Sequence, residues 1–75
     1  MNLIKELKSI HSRGALGPEA KLKILCTNGK ELIGSFESFN SAEDNEPEVA
    51  QLDIRDKNGF LIGLLETEIE KIETV

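Results

Sequence analysis

Leu3, Ile4, Leu7 and Ile10 recur at the spacing that places side chains on one face of an α-helix, so residues 2–12 are predicted to form a short amphipathic helix. Asn2 can cap it by accepting a free backbone N–H of the first turn, and Gly14 stands where a helix ends. At this length a helix is marginal alone and must dock its apolar stripe on something. Residues 14–18 read as a linker.

From Ala20 the period drops to two. Leu22, Ile24 and Cys26 share one face of a strand, and Lys21, Lys23 and Thr27 the other, with Leu25 the exception. Asn28-Gly29 is a strong hairpin signal, because both turn positions favour positive φ. Leu32 to Phe39 is the return strand, Leu32 and Phe36 pointing inward, Ser35 and Glu37 outward. Gly34 within it marks a sharp bend. Asn40 to Glu48 is a solvated loop rich in acids. Val49 to Asp56 is the third strand, with Ala50, Leu52 and Ile54 inward and Gln51, Asp53 and Arg55 outward.

Lys57-Asn58-Gly59 makes a second hairpin turn. Phe60 to Leu65 contains no polar side chain, which predicts burial on both faces. Phe60, Ile62 and Leu64 would fill the core. Leu61 and Leu65 would then need cover from either the N-terminal helix or a neighbouring subunit. Glu66-Thr67-Glu68 turns the chain, and Ile69 to Val75 is a last strand anchored by Ile69 and Ile72. The expected class is mainly β: an N-terminal helix, then five short strands curled into a barrel, all in a single domain spanning 1–75.

Composition narrows the chemistry. The chain has 75 residues, one cysteine and one histidine, so an internal disulfide is excluded and a structural zinc site is not expected. A reduced, cytoplasmic setting follows, and no apolar run reaches the ~20 residues of a membrane helix. Lys5 and Lys8 interrupt the apolar N-terminal positions, so no signal peptide is expected. Net charge is −5, distributed unevenly. Residues 1–30 carry six cations against two acids, a balance of +4, and residues 31–75 carry three against twelve, a balance of −9. A duplex binder would show a basic stripe and high pI, whereas the pI here is near 4.8.

Catalysis is not expected. His11 and Cys26 could pair as base and nucleophile, but no third group to orient His11 is evident. Cys26 reads as a small buried apolar residue, and His11 as a helix-end or surface residue. The acids sit mainly on outward strand positions and in the 43–48 loop, which lacks the ligand alternation and glycine of a calcium loop. No metal and no cofactor are expected.

The run Leu22-Lys23-Ile24-Leu25-Cys26-Thr27-Asn28-Gly29-Lys30-Glu31-Leu32-Ile33-Gly34-Ser35-Phe36 resembles the first half of the first motif of the Sm-like superfamily. That superfamily includes the bacterial RNA-chaperone host factor. The resemblance covers the chain in outline and implies a strongly bent, SH3-like barrel. It also implies homo-oligomeric rings joined through sheet edges, with single-stranded RNA as ligand. The contact would then fall to Lys5, Lys8, His11 and Arg13 on the helix and to Asn40 in the loop. Leu61, Leu65 and Ile72 would form the oligomer interface.

The chain departs from the family pattern at Ala42, which replaces a base-stacking residue, and at Glu66 and Thr67, which replace an Arg-Gly pair. Phe36 and Phe60 are expected in the core. Phe39 could stack a base, with packing in the core or against the helix the stronger expectation. A second function class is therefore a protein–protein or structural assembly module, whose acidic Glu43–Glu48 loop would dock a basic protein partner.

Overall fold

The computed structural model describes residues 2–17, 20–43 and 49–75. Helix α1 spans Leu3–Ser12, and the strands are β1 (Leu22–Cys26), β2 (Glu31–Asn40), β3 (Gln51–Arg55), β4 (Leu61–Leu65) and β5 (Ile69–Thr74). A single 3-10 turn, Glu66–Glu68, joins the last two. The strands form one antiparallel sheet in the order β4-β3-β2-β1-β5, which leaves β4 and β5 as its edges. Most of the 43–48 acidic loop and the Pro18 end of the linker lie outside the described residues.

Both ends of α1 follow from local chemistry. The Asn2 side chain accepts the Lys5 N–H at 3.2 Å. At the other end Gly14 takes φ +74, where a Cβ would be strained. The Gly14 N–H then reaches the His11 carbonyl at 2.9 Å, and the Ala15 N–H reaches that of Ile10 at 3.1 Å. These two bonds satisfy carbonyls that the helix leaves open.

The core joins the helix stripe to the inner face of the sheet. Leu3, Leu7 and Ile10 pack with Leu22, Ile24, Cys26, Leu52, Ile54, Leu64, Ile69 and Ile72. Each such Leu or Ile gains roughly 1.5–3 kcal/mol from leaving water. Ile4 does not join them: it lies one residue off the buried stripe and is 46% exposed.

Strand β2 sets the shape. Its first residues pair with β1, Leu22 opposite Gly34, and its later ones with β3, Ser35 opposite Arg55. Gly34 stands at the changeover, where a Cβ would lie 2.8 Å from the Arg55 carbonyl oxygen. The bend expected at Gly34 is therefore a close approach of two backbones. A register shift between Phe36 and Ser38 adds a bulge, leaving Glu37 as the extra residue.

Four expectations about burial differ from what the single chain shows. Phe60 is not a core residue: it leaves the turn at the hairpin tip and is 68% exposed. Within the single chain the Phe60–Leu65 run is covered on one face: β4 is an edge strand, Leu64 is its buried residue, and α1 does not supply the cover that Leu61 needs. Ile72, expected at an oligomer interface, faces Ile24 across β1–β5 and sits in the core of the single chain. Asp53, expected to point into solvent, is buried as well.

Candidate functional site

Three features bring polar or exposed apolar groups together: a groove beside α1, the outer face of β2–β3, and the free edge of β4.

The groove lies between α1 and β2 and has a volume of about 320 Å³. Ile4, Leu7, Leu16, Phe36 and Phe39 line it, with Lys8 and His11 as its polar members. Phe36 and Phe39 come to one side because the Glu37 bulge shifts the alternation of β2 by one residue. Both rings are half-buried against the core, so the packing expectation for Phe39 holds and Phe36 sits at the core's margin.

Of the cations expected to act together, the structure brings Lys8 and His11 to this groove. Lys5 lies one helical turn from Lys8 and outside the lining, and exposed Arg13 caps the helix end. Asn40 is not with them. Its side-chain amide donates to Asp53 Oδ2 at 3.4 Å, on the sheet face opposite the core.

Asp53 alternates with the core residues Leu52 and Ile54 and so points away from the core, yet only 9% of its surface is exposed. Ser38 Oγ donates to its Oδ2 at 2.8 Å, and Gln51 Nε2 to its Oδ1 at 2.7 Å. Gly63 on β4 makes the room, since a Cβ there would stand 2.7 Å from Gln51 Nε2 and 3.2 Å from Asp53 Oδ1. Neutral donors thus satisfy a carboxylate that the β3 alternation alone assigned to solvent. The sequence signal was Gly63 facing Asp53 across the β3–β4 ladder, which required the register to be known.

Along β4, the Phe60 carbonyl accepts the Asp56 N–H, and the Glu66 N–H donates to the Ala50 carbonyl. Antiparallel alternation then turns the main-chain groups of Leu61, Gly63 and Leu65 outward. The Leu65 N–H is taken by Glu68 Oε1 at 3.0 Å. Among the described residues the open part of the edge is Leu61 and Gly63, flanked by the Leu61 side chain at 55% exposure and by Phe60; Leu65 is half-buried.

Glu66 has a role the sequence did not reveal. Its Oε2 accepts the Leu3 N–H at 2.7 Å, joining the first turn of α1 to the β4–β5 connection. A carboxylate there also meets the positive end of the helix dipole.

Cys26 is a free, buried thiol, and exposed His11 lines a different depression from it. Among the described residues there is no cluster of His, Cys, Asp or Glu suited to a metal ion. No described helix is long and apolar enough to cross a membrane. No family model, curated protein or solved structure matches the chain.

Proposed function

We propose that the protein is a non-catalytic assembly module that associates with further copies of itself through the free edge of β4. The observation carrying this is the Leu61–Gly63 edge: main-chain donors and acceptors that have no partner among the described residues lie beside the exposed Phe60 and Leu61 side chains. Unpaired edges and surplus apolar surface both favour pairing with another chain. The Sm-like, strongly bent barrel belongs to the same proposal. It is supported by β2, which serves β1 with one half and β3 with the other across Gly34. The free, buried Cys26 accords with a cytoplasmic setting.

Analytical ultracentrifugation across a concentration series tests the proposal. The wild type is expected to sediment as an oligomer, and Leu61→Asp as a monomer with an unchanged circular-dichroism spectrum. A wild type that stays monomeric at the highest concentrations refutes it.

A second reading, binding of single-stranded RNA, draws on Lys5, Lys8 and Arg13, which have no ion-pair partner among the described residues, and on His11 of the same helix. Asn40 drops out of it, because its amide is engaged by Asp53. Short oligonucleotides titrated at two salt concentrations decide it: binding that weakens as salt rises and is lost in Lys8→Glu supports it, and no binding at low salt removes it.

A further inference from the structure

We infer that the groove between α1 and β2 is a docking site for an acidic amphipathic peptide segment of a partner protein. This goes beyond self-association and uses a different surface.

The floor is apolar: Ile4, Leu7, Leu16, Phe36 and Phe39. Ile4 is the exposed part of a stripe whose other members are buried, so water meets apolar surface there. Among the described residues the lining includes no acid, and its polar members are Lys8 and His11. Lys5 stands one turn from Lys8 on the same helix.

On the sheet, Lys23 meets Glu31, Arg55 meets Glu37 and Lys71 meets Glu73, whereas Lys21, Lys30 and Lys57 make no such pair among the described residues. Among the described residues neither Lys5 nor Lys8 has such a partner. An electropositive lip beside an apolar floor, on a chain of net charge −5, complements an occupant that is apolar on one side and anionic at its margin.

Shape selects a peptide over a small amphiphile. A small ligand is held by burying most of its surface in a closed pocket. This groove is open and runs along α1 from Ile4 to His11, about 10 Å at the rise of an α-helix. That is the length of two helical turns, enough for two or three apolar anchors at i, i+3 or i+4, and i+7, with Asp or Glu beside them. RNA is disfavoured here because the floor offers phosphate nothing and both phenyl rings are packed against the core.

The experiment is peptide display selection on the immobilised full-length protein, followed by titration of the enriched peptides in labelled form. Enrichment of apolar residues at helical spacing flanked by Asp and Glu is expected. So is a loss of about five- to tenfold in affinity in Ile4→Glu and in Lys8→Glu. Both positions are exposed, so both variants should keep the wild-type circular-dichroism spectrum; Lys8→Gln serves in place of either that does not. Lys57→Glu, at the distant hairpin turn, should bind as the wild type does.

Selection that enriches no peptides, or peptides without acidic excess, overturns the proposal. Equal binding by Ile4→Glu and Lys8→Glu does the same, as does saturating occupation of the groove by an oligouridylate that excludes the peptides. A monomeric wild type would leave this result standing, so the two proposals fail separately.

Discussion

Replacing Gly34 with alanine tests the strand crossing on which the fold is built. The new Cβ would lie 2.8 Å from the Arg55 carbonyl oxygen, 3.2 Å from its carbonyl carbon and 3.2 Å from Ile54 Cδ1. Ordinary carbon–oxygen contacts between strands lie near ~3.3–3.6 Å, so β2 and β3 must separate by roughly 0.5–0.8 Å. The obstacle is backbone in a paired ladder, which cannot swing aside as a side chain can. Overpacking of this kind costs about 2–3 kcal/mol, the upper part of its usual range. Alanine recovers roughly 0.5–1 kcal/mol because it has less conformational freedom than glycine to lose on folding. The net loss is about 1–2.5 kcal/mol, against a total stability of roughly 4–11 kcal/mol for a chain of this length. Urea unfolding followed by circular dichroism is the assay. With a slope near ~1 kcal/mol/M the midpoint should fall by about 1–2.5 M. Gly63→Ala is the internal comparison: its Cβ meets the tip of the Gln51 side chain, which can move, so the loss is about 1 kcal/mol from the weakened Gln51–Asp53 bond. A Gly34→Ala midpoint equal to or above that of the wild type would falsify the account of the bend.

The other expectations concern single polar contacts. Asp53→Ala leaves the Ser38 hydroxyl without its acceptor and should lower stability by about 1–3 kcal/mol, read as a lower melting temperature; an unchanged one would show that water serves these donors equally well. Glu66→Ala removes a charged acceptor from the first turn of α1 and should cost about 1.5–3 kcal/mol, with faster amide exchange at Leu3; unaltered exchange there would sink the capping role. Lys71 hydrogen-bonds to Glu73 and lies close enough to favour its charge, which holds the Glu73 carboxyl below its ordinary value. Such a group adds stability above its unfolded pKa, and the contribution fades as pH falls through the lower folded value. An NMR titration should therefore find the Glu73 pKa higher in Lys71→Ala than in the wild type, and equal values would contradict the pairing.

The order of elements was legible because it is written in local chemistry. Asn2 and Gly14 bound the helix, alternation marks β1 and β3, and Asn28-Gly29 and Lys57-Asn58-Gly59 turn the hairpins, all within a few residues of where each acts. The groove was half legible. Its cations and phenylalanines could be named, but the coming together of Lys8, His11, Phe36 and Phe39 depends on the Glu37 bulge, which local periodicity does not contain.

Sequence alone determined the succession of one helix and five strands, the inward faces of α1, β1 and β3, and the need for a glycine at position 34. Tertiary structure decided what lies against each face. Phe60 to Leu65 is as apolar as a central strand, yet it ends at the sheet's edge, where only one side meets the core. Asp53 carries the mark of a solvent position, yet two neighbouring strands bring it Ser38, Asn40 and the space over Gly63. Periodicity reports which side chains share a face, whereas burial depends on the neighbours that long-range pairing supplies.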